Sequence, residues 1–173
     1  LYTLLNLAKQ YGFGKERLIL SGSVSPEQLA YDTDISNQAT LYMNIEEIFK
    51  YLYLYTGSAA LGDFTKVMTE PWAFTRIYMK TLQSHLHDVI ELAHLLGLRT
   101  INFPYQYLTE ENCATLDDAG LSVSVWTVDD QKALETYLSY SVSNLENITT
   151  RRVGIMKNLL SLSMRNQTVP SWP

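Results

Sequence analysis

The chain has 173 residues, enough for one domain with a sizeable core. A net charge of −5 with no basic cluster argues against a nucleic-acid or anionic-membrane surface. The single cysteine, Cys113, excludes an internal disulfide and fits a reducing, cytoplasmic setting; no apolar run reaches the roughly 18 residues of a membrane span.

Residues 1–11 put Leu1, Leu4, Leu5, Ala8 and Tyr11 on one helical face, and Gly12 and Gly14 end it. Gly12-Phe-Gly14 precedes a strand and lacks a third glycine, with Arg17 in its place, so it reads as a helix exit and not a dinucleotide loop. Residues 18–20 form a short buried strand. Ser25-Pro-Glu-Gln28 then supplies a capping serine, a proline at the first helical position and a glutamine at the third. A polar loop over 32–38 leads to a second apolar run at 39–43. From Asn44 the pattern is helical, with Ile45, Ile48, Phe49, Leu52 and Tyr55 on one face. Glu46-Glu47 and Gly57 favour this over a strand at 51–55.

Loop signals fill 57–71, and 72–96 is the longest helical run. At 25 residues it would span about 37 Å. Residues 46–84 thus read as an enlarged helical connection. Plain packing is the first expectation for it, and a lid or a subunit contact that makes a homo-oligomer through 72–96 is the alternative. Residues 99–103 are a strand and 104–107 a loop, and Thr109 caps a helix carrying Cys113, Leu116 and Ala119. Gly120 closes that helix. In the next strand, 121–128, Val123, Val125 and Thr127 face one way and Ser122, Ser124 and Trp126 the other. A helix with Ala133, Leu134, Tyr137 and Leu138 follows, then a strand at 145–150 and a helix with Val153, Met156, Leu159 and Leu160. Residues 166–173 are a tail.

One helix followed by five strand-helix units predicts an α/β fold with a parallel sheet and right-handed crossovers. Both faces of the 121–128 strand are uncharged, as in sheets covered on both sides.

Gly120-Leu-Ser-Val-Ser-Val-Trp-Thr-Val-Asp-Asp130 resembles the penultimate strand of the glycerophosphodiester phosphodiesterases, a TIM (β/α)8-barrel family. Leu108-Thr-Glu-Glu, Asn147-Ile-Thr-Thr and Arg17-Leu-Ile-Leu-Ser-Gly-Ser23 are similar to other parts of it, although the family more often has Ser-Phe at Ser21-Gly22. The likeness covers roughly 1–50 and 86–160. A complete barrel needs about 250 residues, and residues 1–5 already sit inside a helical pattern. Residues 1–165 are therefore expected to be the carboxyl-terminal part of such a barrel.

The resemblance implies metal-dependent hydrolysis of a small-molecule glycerophosphodiester to glycerol 3-phosphate and an alcohol. It implies a Mg2+ or Ca2+ ion held by carboxylates, and two histidines for proton transfer. The family's signatures for these (His-Arg-Gly, Glu-x-Asp, a His-Asp pair and Glu-x-Lys) are absent here, so no residue takes a catalytic or metal role. From the residues alone Trp126 reads equally as a core aromatic; the resemblance implies that it lines the substrate pocket, which Asn44 and Asn102, ending neighbouring strands, are expected to reach.

The remaining polar residues read more simply. His87 and His94 are about 10 Å apart along a helix, too far for one metal, and with Glu91 line a solvated edge. His85 is a core histidine. Asp117-Asp118 and Asp129-Asp130 are caps or solvated carboxylates, and no acid or histidine is placed to activate Ser21 or Ser23. The alternatives to the enzyme are a non-catalytic binding or structural domain of the same descent, and an unrelated open α/β domain.

Overall fold

A computed structural model gives the fold and describes residues 1–22, 24–32, 34–56, 82–140 and 143–166. Five strands alternate with helices: β1 Ile19–Ser21, β2 Thr40–Asn44, β3 Thr100–Pro104, β4 Ser122–Trp126 and β5 Leu145–Ile148. The helices are α1 Tyr2–Gln10, α2 Pro26–Tyr31, α3 Ile35–Gln38, α4 Ile45–Thr56, α5 Leu82–Leu95, α6 Glu110–Asp118, α7 Gln131–Ser139 and α8 Val153–Asn166. Among the described residues, no helix is long and apolar enough to cross a membrane.

The helix starts follow their local chemistry. Ser25 and Gln28 form a reciprocal capping box at α2, with Pro26 in the first turn. Thr109 Oγ1 accepts from Asn112 N at 3.2 Å to start α6, and Asp130 Oδ1 accepts from Ala133 N at 2.8 Å to start α7. Gly120, at φ +72°, turns the chain from α6 into β4.

The strands lie in sequence order, β1-β2-β3-β4-β5, and all pairs are parallel. One face of every strand joins a single apolar cluster with the helices. Leu20, Leu41, Met43, Ile101, Phe103, Val123 and Val125 pack there with Leu29, Ile48, Phe49, Val89, Leu116 and Leu134. This ordering is decisive. Right-handed crossovers that always step to the next strand put every helix on the same face, whereas a doubly wound open sheet reverses direction once. A singly wound sheet of this kind is the wall of a barrel, and the open α/β alternative is excluded.

Four expectations shift. The polar stretch 32–38 contains the helical turn α3, because Ile35 is buried and the Asp34 carboxylate accepts from the side chains of Asn37 and Gln38. Short 3-10 turns occur at Lys15–Arg17 and Tyr105–Tyr107. β1 to β3 each begin one residue later than expected. Of the long helix at 72–96, 82–95 is helical, while 72–81, the rest of the enlarged connection over 57–81 and the tail from 167 lie outside the described residues.

Candidate functional site

Because Leu41, Met43, Ile101, Phe103, Val123 and Val125 face the helices, alternation sends their neighbours to the opposite face. The register aligns Asn44 with Asn102, Asn102 with Ser124 and Ser124 with Asn147. Next to this row, on the amino-terminal side, Tyr42, Thr100 and Ser122 are aligned. Beyond it, at the carboxyl end, Pro104 pairs with Trp126.

The row is knit by amides. Asn102 Nδ2 donates to Asn44 Oδ1 at 2.8 Å and to Ser21 Oγ at 3.3 Å, and Asn147 Nδ2 donates to Ser124 Oγ at 2.9 Å. Asn102 and Ser124 are 5% and 1% exposed, so they form a floor; Asn44, Asn147 and Trp126 are half-buried above them. Buried polar groups persist when paired. Yet Asn102 Oδ1 and Trp126 Nε1 are both buried without a hydrogen-bond partner among the described residues. Gly22, at φ +63°, lies so close that a Cβ would stand 2.8 Å from Asn44 Nδ2. Only glycine leaves that amide in place.

A bulge in β5 adds a carboxylate. Leu145 pairs with Val123 and Asn147 with Ser124, so Glu146 is the extra residue. It accepts from Thr100 Oγ1 at 2.8 Å, and the small Ser122 between them in the register leaves the space. The Tyr42 hydroxyl also donates to Glu146; burial foremost, then the charge and hydrogen bond of Glu146, push the phenol up to about 12, so it stays protonated.

Two loops at the carboxyl end are pinned together. Asp129 accepts from Arg151 N at 2.8 Å and Nε at 2.5 Å, with Arg151 Nη2 also in contact, and these bonds hold its carboxyl below its usual range. A groove of about 320 Å³ between Tyr105–Tyr107 and α7, lined by Tyr105, Leu108, Lys132, Tyr137 and Tyr140, shares no residue with the polar row.

No protein-family model and no curated protein matches the sequence. Solved structures do match. A protein from Silicibacter pomeroyi described as a glycerophosphoryl diester phosphodiesterase superposes with a TM-score of 0.56 at 15% identity, over 95% of this chain and 44% of its own. One from Galdieria sulphuraria described as a glycerophosphodiester phosphodiesterase gives 0.55 at 20% identity, over 92% of this chain and 50% of its own. The fold is the carboxyl-terminal part of a TIM barrel. At these identities the likeness is one of fold, and this chain spans about half the length of both proteins.

The polar row therefore faces the lumen of a half-barrel, near its carboxyl end, where such barrels bind ligands. Trp126, Asn44 and Asn102 all stand there, the two asparagines in direct contact. Ser21, Ser124, Asn147 and Glu146 join them without having been singled out for the pocket. The two serines and Asn147 lie on strands already located, but their meeting depends on inter-strand register; Glu146 depends on the bulge.

The histidines stay outside. His87 is exposed and pairs with Glu91 at 3.2 Å, and His94 Nε2 lies 2.9 Å from the Ala119 carbonyl. His85, half-buried, is 3.6 Å from Asp88. Cys113 is buried, and burial raises its thiol to about 12, so it behaves as a small hydrophobe. Hard cations need several oxygen ligands, usually including carboxylates. Among the described residues no group of three or more His, Cys, Asp or Glu could hold one, and the row is amide and hydroxyl. The described residues do not fit the implied Mg2+ or Ca2+ ion.

Proposed function

We propose that the chain is part of a phosphoric diester hydrolase that cleaves glycerophosphodiesters to glycerol 3-phosphate and an alcohol. The observation that carries this reading is that Trp126, opposite Pro104, and the Asn44–Asn102 pair lie toward the carboxyl end of a half-barrel like those of proteins so described. The indole offers a flat apolar surface for the carbon face of an alcohol, and the amides offer hydrogen bonds to its hydroxyls. The proton-transfer groups and the divalent metal of a metal-dependent reaction would come from residues outside those described.

The test is release of glycerol 3-phosphate from glycerophosphodiesters by the complete protein that carries residues 1–173. Trp126→Ala should lower kcat/KM roughly 10- to 100-fold, chiefly through KM. No release from any glycerophosphodiester would sink the enzyme reading. Saturable substrate binding without release would support a non-catalytic binding domain of the same descent.

A further inference from the structure

Among the described residues, Glu146 is the one carboxylate on the lumen face of the strands, and the proposed reaction gives it no part. We propose that Glu146 is half of an ion pair across the barrel interior, and that the strands which close the lumen present a lysine or arginine to it. This holds whether or not the protein is an enzyme.

The bulge in β5 serves this side chain alone. Leu145 pairs with Val123, Asn147 with Ser124 and Ile148 with Val125. Without residue 146 those three pairs would run as a regular ladder, with Leu145 and Ile148 still toward the helices and Asn147 still toward the lumen. The extra residue interrupts the ladder and contributes only its own carboxylate to the interior. That carboxylate is held in place. Thr100 Oγ1 donates to it at 2.8 Å, the Tyr42 hydroxyl donates as well, and both donors are buried.

Two hydroxyls do not complete a carboxylate. It offers about four acceptor positions, and neither donor carries charge. Glu146 is exposed while its donors are buried, so its open side faces away from the sheet, into the lumen. A barrel interior is filled by layers of side chains, so closing the lumen encloses this carboxylate. An enclosed carboxylate persists only when paired. Its lumen neighbours Tyr42, Thr100, Ser122 and Asn147 are neutral, and it forms no ion pair with a described residue. The cation therefore comes from the closing side. One carboxylate and two hydroxyls are too few for a hard metal ion, whereas an ammonium or guanidinium matches the remaining acceptor positions. The buried floor of Asn102 and Ser124 separates this level from the carboxyl end, so the cation is a side chain and not part of a ligand.

The test uses the complete protein that carries residues 1–173. Glu146→Gln keeps an acceptor for Thr100 and Tyr42 and removes the charge, so it isolates the cation. Opposite signs separate the readings. With a facing lysine or arginine the variant strands that cation, and the melting temperature should fall by at least about 5 °C. With none, the variant relieves a desolvated charge and the melting temperature should hold or rise. A smaller fall, no change or a rise overturns the proposal. A second measurement needs no variant to fold: the crystal structure of the unmutated complete protein should show a Lys or Arg nitrogen within about 4 Å of a Glu146 oxygen. Water, a metal ion or an uncharged side chain in that place overturns it. Release of glycerol 3-phosphate without a facing cation would keep the enzyme and sink the pair; the pair without release would do the reverse.

Discussion

Glu46 shows how a side chain beside the site can work against the fold. It lies in the first turn of α4, two residues past Asn44; burial raises its pKa, and Oε2 has no hydrogen-bond partner among the described residues. A raised carboxyl pKa means the folded state holds the proton more tightly. The resulting stability is complete below the unfolded value of about 4.3, and is lost as pH rises through the higher folded value. Glu46→Gln keeps the shape and removes the charge. Its melting temperature should exceed that of the unmutated chain by about 2–4 °C at pH 7, with the gap closing near pH 4. A constant gap across that range would show that desolvation of the charge is not the cause.

Elements are coupled by single buried groups, and Asn144 is the clearest. It is 6% exposed, its Nδ2 donates to the carbonyls of Cys113 and Leu121 at 2.9 Å, and its own carbonyl accepts from Val123 N at 2.8 Å. One side chain before β5 therefore fixes α6 against the start of β4. Asn144→Ala removes both bonds and should cost about 1–3 kcal/mol in urea unfolding; a loss below about 0.5 kcal/mol would show that this tie adds little to stability. This coupling also marks where sequence reading stops. Ser25, Thr109 and Asp130 announce helix starts because a cap bonds three residues ahead, and Trp126 declares its face because alternation is local. The meeting of Asn102 with Ser21, 81 residues apart, needs the register of three strands. Glu146 enters the lumen through a bulge that no pattern in 145–150 marks.

For the molecule as a whole, strand order sets where the fold is weakest. A closed barrel has no edges, but the five described strands have two, at β1 and β5. The same two ends carry exposed apolar side chains: Leu4, Leu7 and Ile19 at one, Val153 and Leu160 at the other. Each strand of the interior bonds neighbours on both sides, and Ile101, Phe103, Val123 and Val125 are fully buried. Native-state amide exchange should therefore be graded, since local opening requires less where fewer buried contacts break. Amides of β3 and β4 should exchange only through global unfolding, with protection that tracks the stability measured in urea. Those of Ile19–Ser21 should exchange at least about tenfold faster and respond weakly to denaturant. Equal protection across all five strands would mean that something covers the edges, as added strands closing the barrel would. In that case the exposed apolar residues on α1 and α8 should resist surface labelling as well.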